Sequence, residues 1–233
     1  MKKYVMFIIL LECIINTAAV AEEGGYAAFR TGGMVADDSE VTEEGPTGNL
    51  YAPVTELDRS VFFSAAVGYR WKERFRIEGE ASYRTSESDK EFIHAKGVFA
   101  SNQYSMDGRV ESYIFMSNFY YDLSRINKIR PFIKAGVGVA FHESEALFEV
   151  QPYFQDIGLE ANHRWYFPEN DEQSFVFSVG AGAAYELSDR ITLDAGYNYT
   201  DLGEISTDMD IMGDKTTFDL KVHEVYLGVR FDF

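Results

Sequence analysis

Hydrophobic and polar positions alternate with period two over most of this chain, and no longer segment shows a helical period. Over residues 191–199, Ile191, Leu193, Ala195, Tyr197 and Tyr199 alternate with Thr192, Asp194, Gly196 and Asn198. In the 61–71 run, Val61, Phe63, Ala65, Val67, Tyr69 and Trp71 alternate with Phe62, Ser64, Ala66, Gly68 and Arg70. The next sets Phe75, Ile77, Gly79, Ala81 and Tyr83 against Arg76, Glu78, Glu80, Ser82 and Arg84. Near the carboxyl end Val225, Leu227, Val229, Phe231 and Phe233 alternate with Glu224, Tyr226, Gly228, Arg230 and Asp232. With 26–35, 109–121, 130–141 and 174–186, these segments make eight expected strands of roughly ten residues or more, the length that crosses a bilayer when tilted.

The connections fall into two alternating kinds. Long ones cover 36–58, 85–108, 142–173 and 201–220, and short ones 72–74, 122–129 and 187–190. A transmembrane up-and-down antiparallel β-barrel has this rhythm, with short periplasmic turns, long external loops and an even strand number that lets the sheet close. The soluble alternative, a lipocalin-type barrel or sandwich, turns its apolar parity inward. Here the polar parity is rich in small residues (Gly136, Gly138, Ala140; Ser178, Gly180, Gly182, Ala184), which suit a narrow lumen. The other parity is bulky (Ile133, Val137, Val139, Phe141; Phe175, Phe177, Val179), which suits lipid. Tyr69, Trp71, Tyr121, Tyr185, Tyr197 and Tyr199 gather at strand ends, where an interfacial girdle needs them.

Before the strands, Lys2 and Lys3 precede an apolar run that ends in Ala19, Val20 and Ala21, the pattern of an export signal. Cleavage is expected after Ala21, which removes Cys13 and leaves residues 22–233 as a barrel domain without cysteine. The chain has 233 residues and a net charge of −17, and its acidity is concentrated in the long connections, which hold 25 acidic residues against 4 basic ones. Such a chain is a poor partner for nucleic acid, whose phosphates bind clustered Lys and Arg. With 15 Tyr and 19 Phe it is also a poor candidate for disorder.

The run Arg130-Pro-Phe-Ile-Lys-Ala-Gly-Val-Gly-Val-Ala-Phe141 carries a family likeness, as do Gly180-Ala-Gly182 before Tyr185, the segment from Leu193 to Gly203, and the segment from His223 to Phe233. The sequence resembles the opacity-type, OmpA-like eight-stranded outer-membrane β-barrels, strongly over 109–233 and more weakly before. Asn198 stands where the family usually carries a basic residue. The resemblance implies a bacterial outer-membrane surface protein, adhesin-like or host-facing. It also implies that Phe231 and the terminal Phe233 form the signal read by the outer-membrane assembly machinery.

Arg76, Glu78, Glu80, Lys134, Asp194 and Arg230 fall on the inward parity near the periplasmic ends of their strands. Charges in a narrow lumen require partners, so a structural network that plugs the barrel is expected, with a gated channel as the alternative. His142 and Ser144, flanked by Glu143 and Glu145, share a parity at an outer strand end, as some lipid A deacylases arrange a His-x-Ser pair; a solvated strand end is the plainer reading. Asp208, Asp210, Gly213, Asp214 and Asp219 loosely echo a calcium loop, but Met212 replaces an oxygen ligand. His94 and His163 lie in loops and His223 on the outward parity, so no metal site or cofactor is indicated.

In the third long connection Leu147, Phe148, Val150, Tyr153, Phe154, Trp165, Tyr166 and Phe167 are the candidate contacts for a host or extracellular ligand. Recognition through the loops, without catalysis, is therefore the leading expectation. Its alternative is a barrel that supports the envelope and binds nothing specific, with a lipid A-modifying enzyme third.

Overall fold

A computed structural model describes residues 24–37, 39–44, 53–54, 59–72, 74–94, 103–150, 164–206 and 215–233. Among them the chain forms ten strands: β1 (Gly25–Ala36), β2 (Ser39–Glu44), β3 (Pro53–Val54), β4 (Arg59–Trp71), β5 (Phe75–His94), β6 (Gln103–Asp122), β7 (Ile129–Val150), β8 (Arg164–Glu186), β9 (Ile191–Ser206) and β10 (Lys215–Asp232). Eight of them run in the order β1-β4-β5-β6-β7-β8-β9-β10, and β10 pairs back onto β1, closing an all-antiparallel barrel. The closing ladder runs from Tyr26 opposite Asp232 to Ala36 opposite Val222. The other two strands belong to the first external connection. After a break at Asp37, whose N–H donates to the Lys221 carbonyl, β2 continues along β10 where β1 leaves off, and β3 turns back against it.

The short turns stand where the alternation places them. Lys72 and Asn127 take positive φ, 51° and 56°, to reverse the chain within a few residues. Ile126 and Ile129 exchange backbone hydrogen bonds across the second turn.

The expected external loops are in large part strand. β5, β6, β7 and β8 hold 20, 20, 22 and 23 residues, against about 9–11 needed to cross the hydrocarbon. The regions 85–108 and 142–173 therefore begin and end as paired hairpin arms. Alternation gives no sign of this, because period two reports burial of one face, and in these stretches the apolar residues no longer keep to one parity.

Burial separates the two parities. Phe63, Ile77, Phe175, Val225 and Leu227 all have more than half of their surface exposed, while Arg30, Arg76, Glu78, Lys134 and Glu224 are each under 7% exposed. A soluble protein does not expose such a wall of bulky apolar groups while burying its charges, so the wall faces acyl chains. The first 23 residues, including the expected export signal, lie outside the described residues.

Candidate functional site

The lumen is stacked in layers. All six charged residues singled out on the inward parity are buried, and they are joined by Arg30, Arg84, Asp122 and Glu224. Among the described residues the buried set thus comprises five cations and five carboxylates, an electrically balanced core. At its centre the Arg30 guanidinium grips Glu78 with two bonds, Nη1 to Oε1 at 2.7 Å and Nη2 to Oε2 at 2.8 Å. Tyr26 and Tyr120 donate their hydroxyls to the same carboxylate at 3.1 and 3.0 Å. Glu80 accepts from Asn118 at 2.8 Å and has Arg30 Nη1 at 3.5 Å and Lys134 Nζ at 3.7 Å.

Toward the periplasm Arg76 holds Asp122 through Nε and Nη2, the latter at 2.8 Å, and its guanidinium lies 4.3 Å from the centre of the Tyr120 ring. Arg230 sits 3.5 Å from Asp194, and beside it Arg70 pairs with Asp232 at 3.0 Å, partly exposed at the lower mouth. On the outer side of the centre Arg84 Nη2 meets Glu224 Oε1 at 2.7 Å, and Asn198 and Thr200 donate to Glu224 Oε2 at 3.1 and 3.2 Å. Low-dielectric surroundings make every unpaired charge costly, and this mutual pairing is how a lumen filled by ionised side chains remains stable.

Above the ionic layers the lumen turns apolar. Met34, Ile114, Met116, Ala140, Val176, Leu202, Ile205, Leu220 and Val222 form one buried cluster drawn from six strands. His142 caps it, 2% exposed rather than solvated. Its Nδ1 is 2.7 Å from Ser112 Oγ, and its Nε2 is 2.8 Å from Ser174 Oγ and 3.2 Å from the Leu202 carbonyl. The Ser174 hydroxyl itself donates to that carbonyl. Nε2 is thus the protonated nitrogen, and Nδ1 accepts from Ser112. Both ring nitrogens are engaged by groups other than Ser144, whose backbone is paired with Val110 and Asn170.

Of the candidate contacts, Leu147, Phe148, Val150, Trp165, Tyr166 and Phe167 are strand residues of the β7–β8 hairpin, not loop residues. Phe148 stands opposite Trp165, Leu147 opposite Tyr166, Ala146 opposite Phe167, and Val150 opposite Tyr104 of β6. Tyr153 and Phe154 lie outside the described residues, as do Asp208, Asp210, Gly213, Asp214 and His163. Asp219 is exposed with Lys221 Nζ at 3.4 Å. His223, on the outward side, has the Tyr197 hydroxyl 2.5 Å from its Nδ1 and Asp37 at 4.0 Å. Among the described residues no three His, Cys, Asp or Glu converge as a metal site.

At the periplasmic rim Phe231 and Phe233 are exposed on the wall, and the Phe233 N–H donates to the Gly25 carbonyl, locking the last strand to the first.

The sequence matches a known family. Residues 8–233 match the family described as "Outer membrane protein beta-barrel domain". The outer membrane protein PagN of Salmonella typhimurium is 24% identical over 99% of this chain and 98% of its own length. Opacity protein V28 of Neisseria gonorrhoeae is 26% identical over 75% of this chain and 79% of its own. Among solved structures, Neisserial surface protein A aligns with a TM-score of 0.48 and 15% identity, covering 91% of this chain and 98% of that one.

Proposed function

Because the chain belongs to the outer membrane protein beta-barrel domain family and is a bacterial outer-membrane barrel, we propose that it works as a surface-display protein whose raised strands recognise a host or extracellular ligand. The observation that carries this reading is the length of β5–β8. Their surplus of about ten residues beyond the hydrocarbon, at about 3.3 Å each, lifts the sheet about 30 Å along the strand direction. A rigid platform presenting variable tips is the arrangement recognition proteins use. The balanced network below it acts as a structural plug, which turns the protein's activity away from conduction and toward its outer surface.

The reading is non-catalytic. His142 and its serine neighbours Ser112 and Ser174 serve as a buried clasp between strands, and a His142→Ala strain should keep its lipid A structure unchanged.

The test removes the raised part of one hairpin, joining Ser144 to Asn170 through a two-residue Asn-Gly turn, which restores a tight hairpin at a paired position. Insertion is checked by the gel mobility of heated against unheated protein. Attachment of bacteria to host cells or matrix should fall to the level of a strain lacking the protein. Undiminished attachment by a correctly inserted variant removes this hairpin as the contact surface. The five-and-five ionic core favours a second reading, an envelope-supporting barrel, which instead predicts greater detergent sensitivity on deletion with attachment intact.

A further inference from the structure

The barrel wall is not uniformly laddered. β8 and β9 pair from Glu186 opposite Thr192 only as far as Phe177 opposite Asp201, although β8 continues to Arg164 and β9 to Ser206. Above that level β8 keeps its ladder with β7, and β9 keeps its ladder with β10, while β8 and β9 lie side by side without a ladder of their own. The outward residues of β8 here are Phe177 and Phe175, both exposed and apolar, followed by the polar Gln173. The ladder therefore ends at the outer edge of the hydrocarbon.

Hydrocarbon does not tolerate a sheet edge with bare N–H and C=O groups. Side chains meet them here. Ser174 donates its hydroxyl to the Leu202 carbonyl, and His142 Nε2 approaches the same oxygen at 3.2 Å. Glu172 accepts from the Ser206 N–H at 2.5 Å and from the Ser206 hydroxyl at 2.9 and 3.0 Å. The backbone is shaped for the end of the ladder. Gly203, at φ +82°, interrupts the regular course of β9 with its N–H tied to Asp201 Oδ1 at 2.9 Å, and the register of β10 slips between Asp219 and Lys221 beside it.

Immediately behind the unladdered stretch lies the apolar cluster, a compartment filled by packed side chains. Val176 of β8 and Leu202 and Ile205 of β9 are its near wall, and the Arg84–Glu224 layer marks where polar lumen begins again. Below the His142 cap, whose ring nitrogens are already engaged, the side chains of this cluster offer a charged or sugar-like solute no hydrogen-bonding partner. A linear hydrocarbon chain would find only van der Waals contact, and the unbranched, readily re-oriented side chains of Met34 and Met116 can make way for it.

We propose that the outer half of the β8–β9 contact is a lateral gate, through which one acyl chain of an outer-leaflet lipid enters the apolar compartment while its headgroup stays at the level of Gln173. Side-chain clasps in place of a ladder make this the part of the wall that opens first. The inference stands independently of ligand recognition by the raised strands.

The full-length protein, inserted in outer membranes, extracted and reconstituted into phospholipid vesicles, provides the test. The vesicles contain a phosphatidylethanolamine with a diazirine in the middle of one acyl chain, and labelled residues are mapped by mass spectrometry after illumination. A locked form combines Ser174→Cys with Gly203→Cys. A Cβ placed on Gly203 lies 2.8 Å from that of Ser174, so a disulfide needs the pair to spread by about 1 Å. An opened form is Glu172→Ala.

The inward residues Val176, Ile205 and Met116 should be labelled in the unmodified protein, several-fold more in Glu172→Ala, and at least ten-fold less in the oxidised locked form. Labelling of the outward Phe175 and Phe177 should stay constant throughout. Label confined to outward residues in both the unmodified and Glu172→Ala proteins overturns the gate, and so does inward label that survives oxidation. Should the cysteine pair fail to insert, Glu172→Ala alone decides, and no rise in inward label over the parent overturns the proposal.

Discussion

Replacing Glu78 with Ala tests the lumen directly. The carboxylate takes both arms of Arg30 and two tyrosine hydroxyls in a site with almost no solvent. Among the described residues, removing it leaves Arg30 buried with Glu80 at 3.5 Å as its remaining carboxylate partner, and leaves Tyr26 and Tyr120 without the acceptor they share. Breaking a buried pair from one side costs about 3–5 kcal/mol, or two to four decades in the unfolding equilibrium. An internal control has the same contact distance and different surroundings. Arg125 Nη1 reaches Glu186 Oε2 at 2.7 Å, as Arg30 reaches Glu78, but its side chain is 44% exposed and that of Glu186 is 31% exposed. An exposed pair contributes about 0–1 kcal/mol, so Glu186→Ala should be nearly silent.

The assay is urea unfolding of vesicle-reconstituted protein, followed by tryptophan fluorescence and by the mobility shift of the folded form. A third variant, Arg30→Met with Glu78→Leu, separates lost attraction from stranded charge. Because desolvation offsets most of the pair's Coulomb energy, this doubly apolar lumen should recover most of the stability lost in Glu78→Ala. Equal effects of Glu78→Ala and Glu186→Ala, or a double variant as unstable as the single one, would refute the account of a burial-driven network.

Glycine positions separate lumen from lipid in the same assay. A Cβ on Gly68 would meet the Tyr26 ring at 2.2 Å, so Gly68→Ala should cost about 1–3 kcal/mol, whereas Gly79 faces open space and Gly79→Ala should be neutral or gain about 0.5 kcal/mol. Val137, half exposed in mid-wall, should lose about 2–4 kcal/mol as Val137→Arg, while the exposed turn residue Ile126 should tolerate Arg within about 0.5 kcal/mol. Phe233→Ala should lower the fraction inserted in cells, measured by heat-modifiable protein in the outer membrane, yet leave refolding of purified chain into detergent unchanged; equal loss in both would make Phe233 a stability residue and not an assembly signal.

What was legible in the sequence follows from what two-sided environments write into it. Between Phe75 and Arg84 one face meets lipid and the other the lumen, and the alternation of Ile77 with Arg76 and Glu78 records both. Arg30, Arg84 and Glu224 carry the same signal, a charge on the parity of Ala28, Ser82 and Tyr226, but nothing sets them apart from the other polar positions of their runs. Apolar alternation stops at Tyr121, which puts Asp122 in the expected turn, although it is the last residue of β6. Partner choice was beyond reach, since Arg30 and Glu78 are 48 residues apart and meet only through the registers of β1, β4 and β5. The extension of β7 and β8 past Phe141 and Phe175 is not written in the sequence, because apolar alternation stops there. Nor is the end of the β8–β9 ladder, since Phe175 and Phe177 alternate in the same way whether or not β9 pairs with them.

One strand connects the two proposals and shows how they can be told apart. β8 enters the raised hairpin at its upper end and holds the clasp residues Glu172 and Ser174 below it, while its lower half is zipped to β9 from Phe177 down. Trimming between Ser144 and Asn170 therefore removes the platform and spares the clasp, so attachment should disappear while inward lipid labelling persists. Glu172→Ala does the converse, loosening the clasp beneath hairpin arms that are still held by their own β7 ladder. If either change abolished both properties, the upper part of β8 would act as one mechanical unit, with force on the hairpin transmitted across the short stretch from Asn170 to Ser174 to the unladdered wall below.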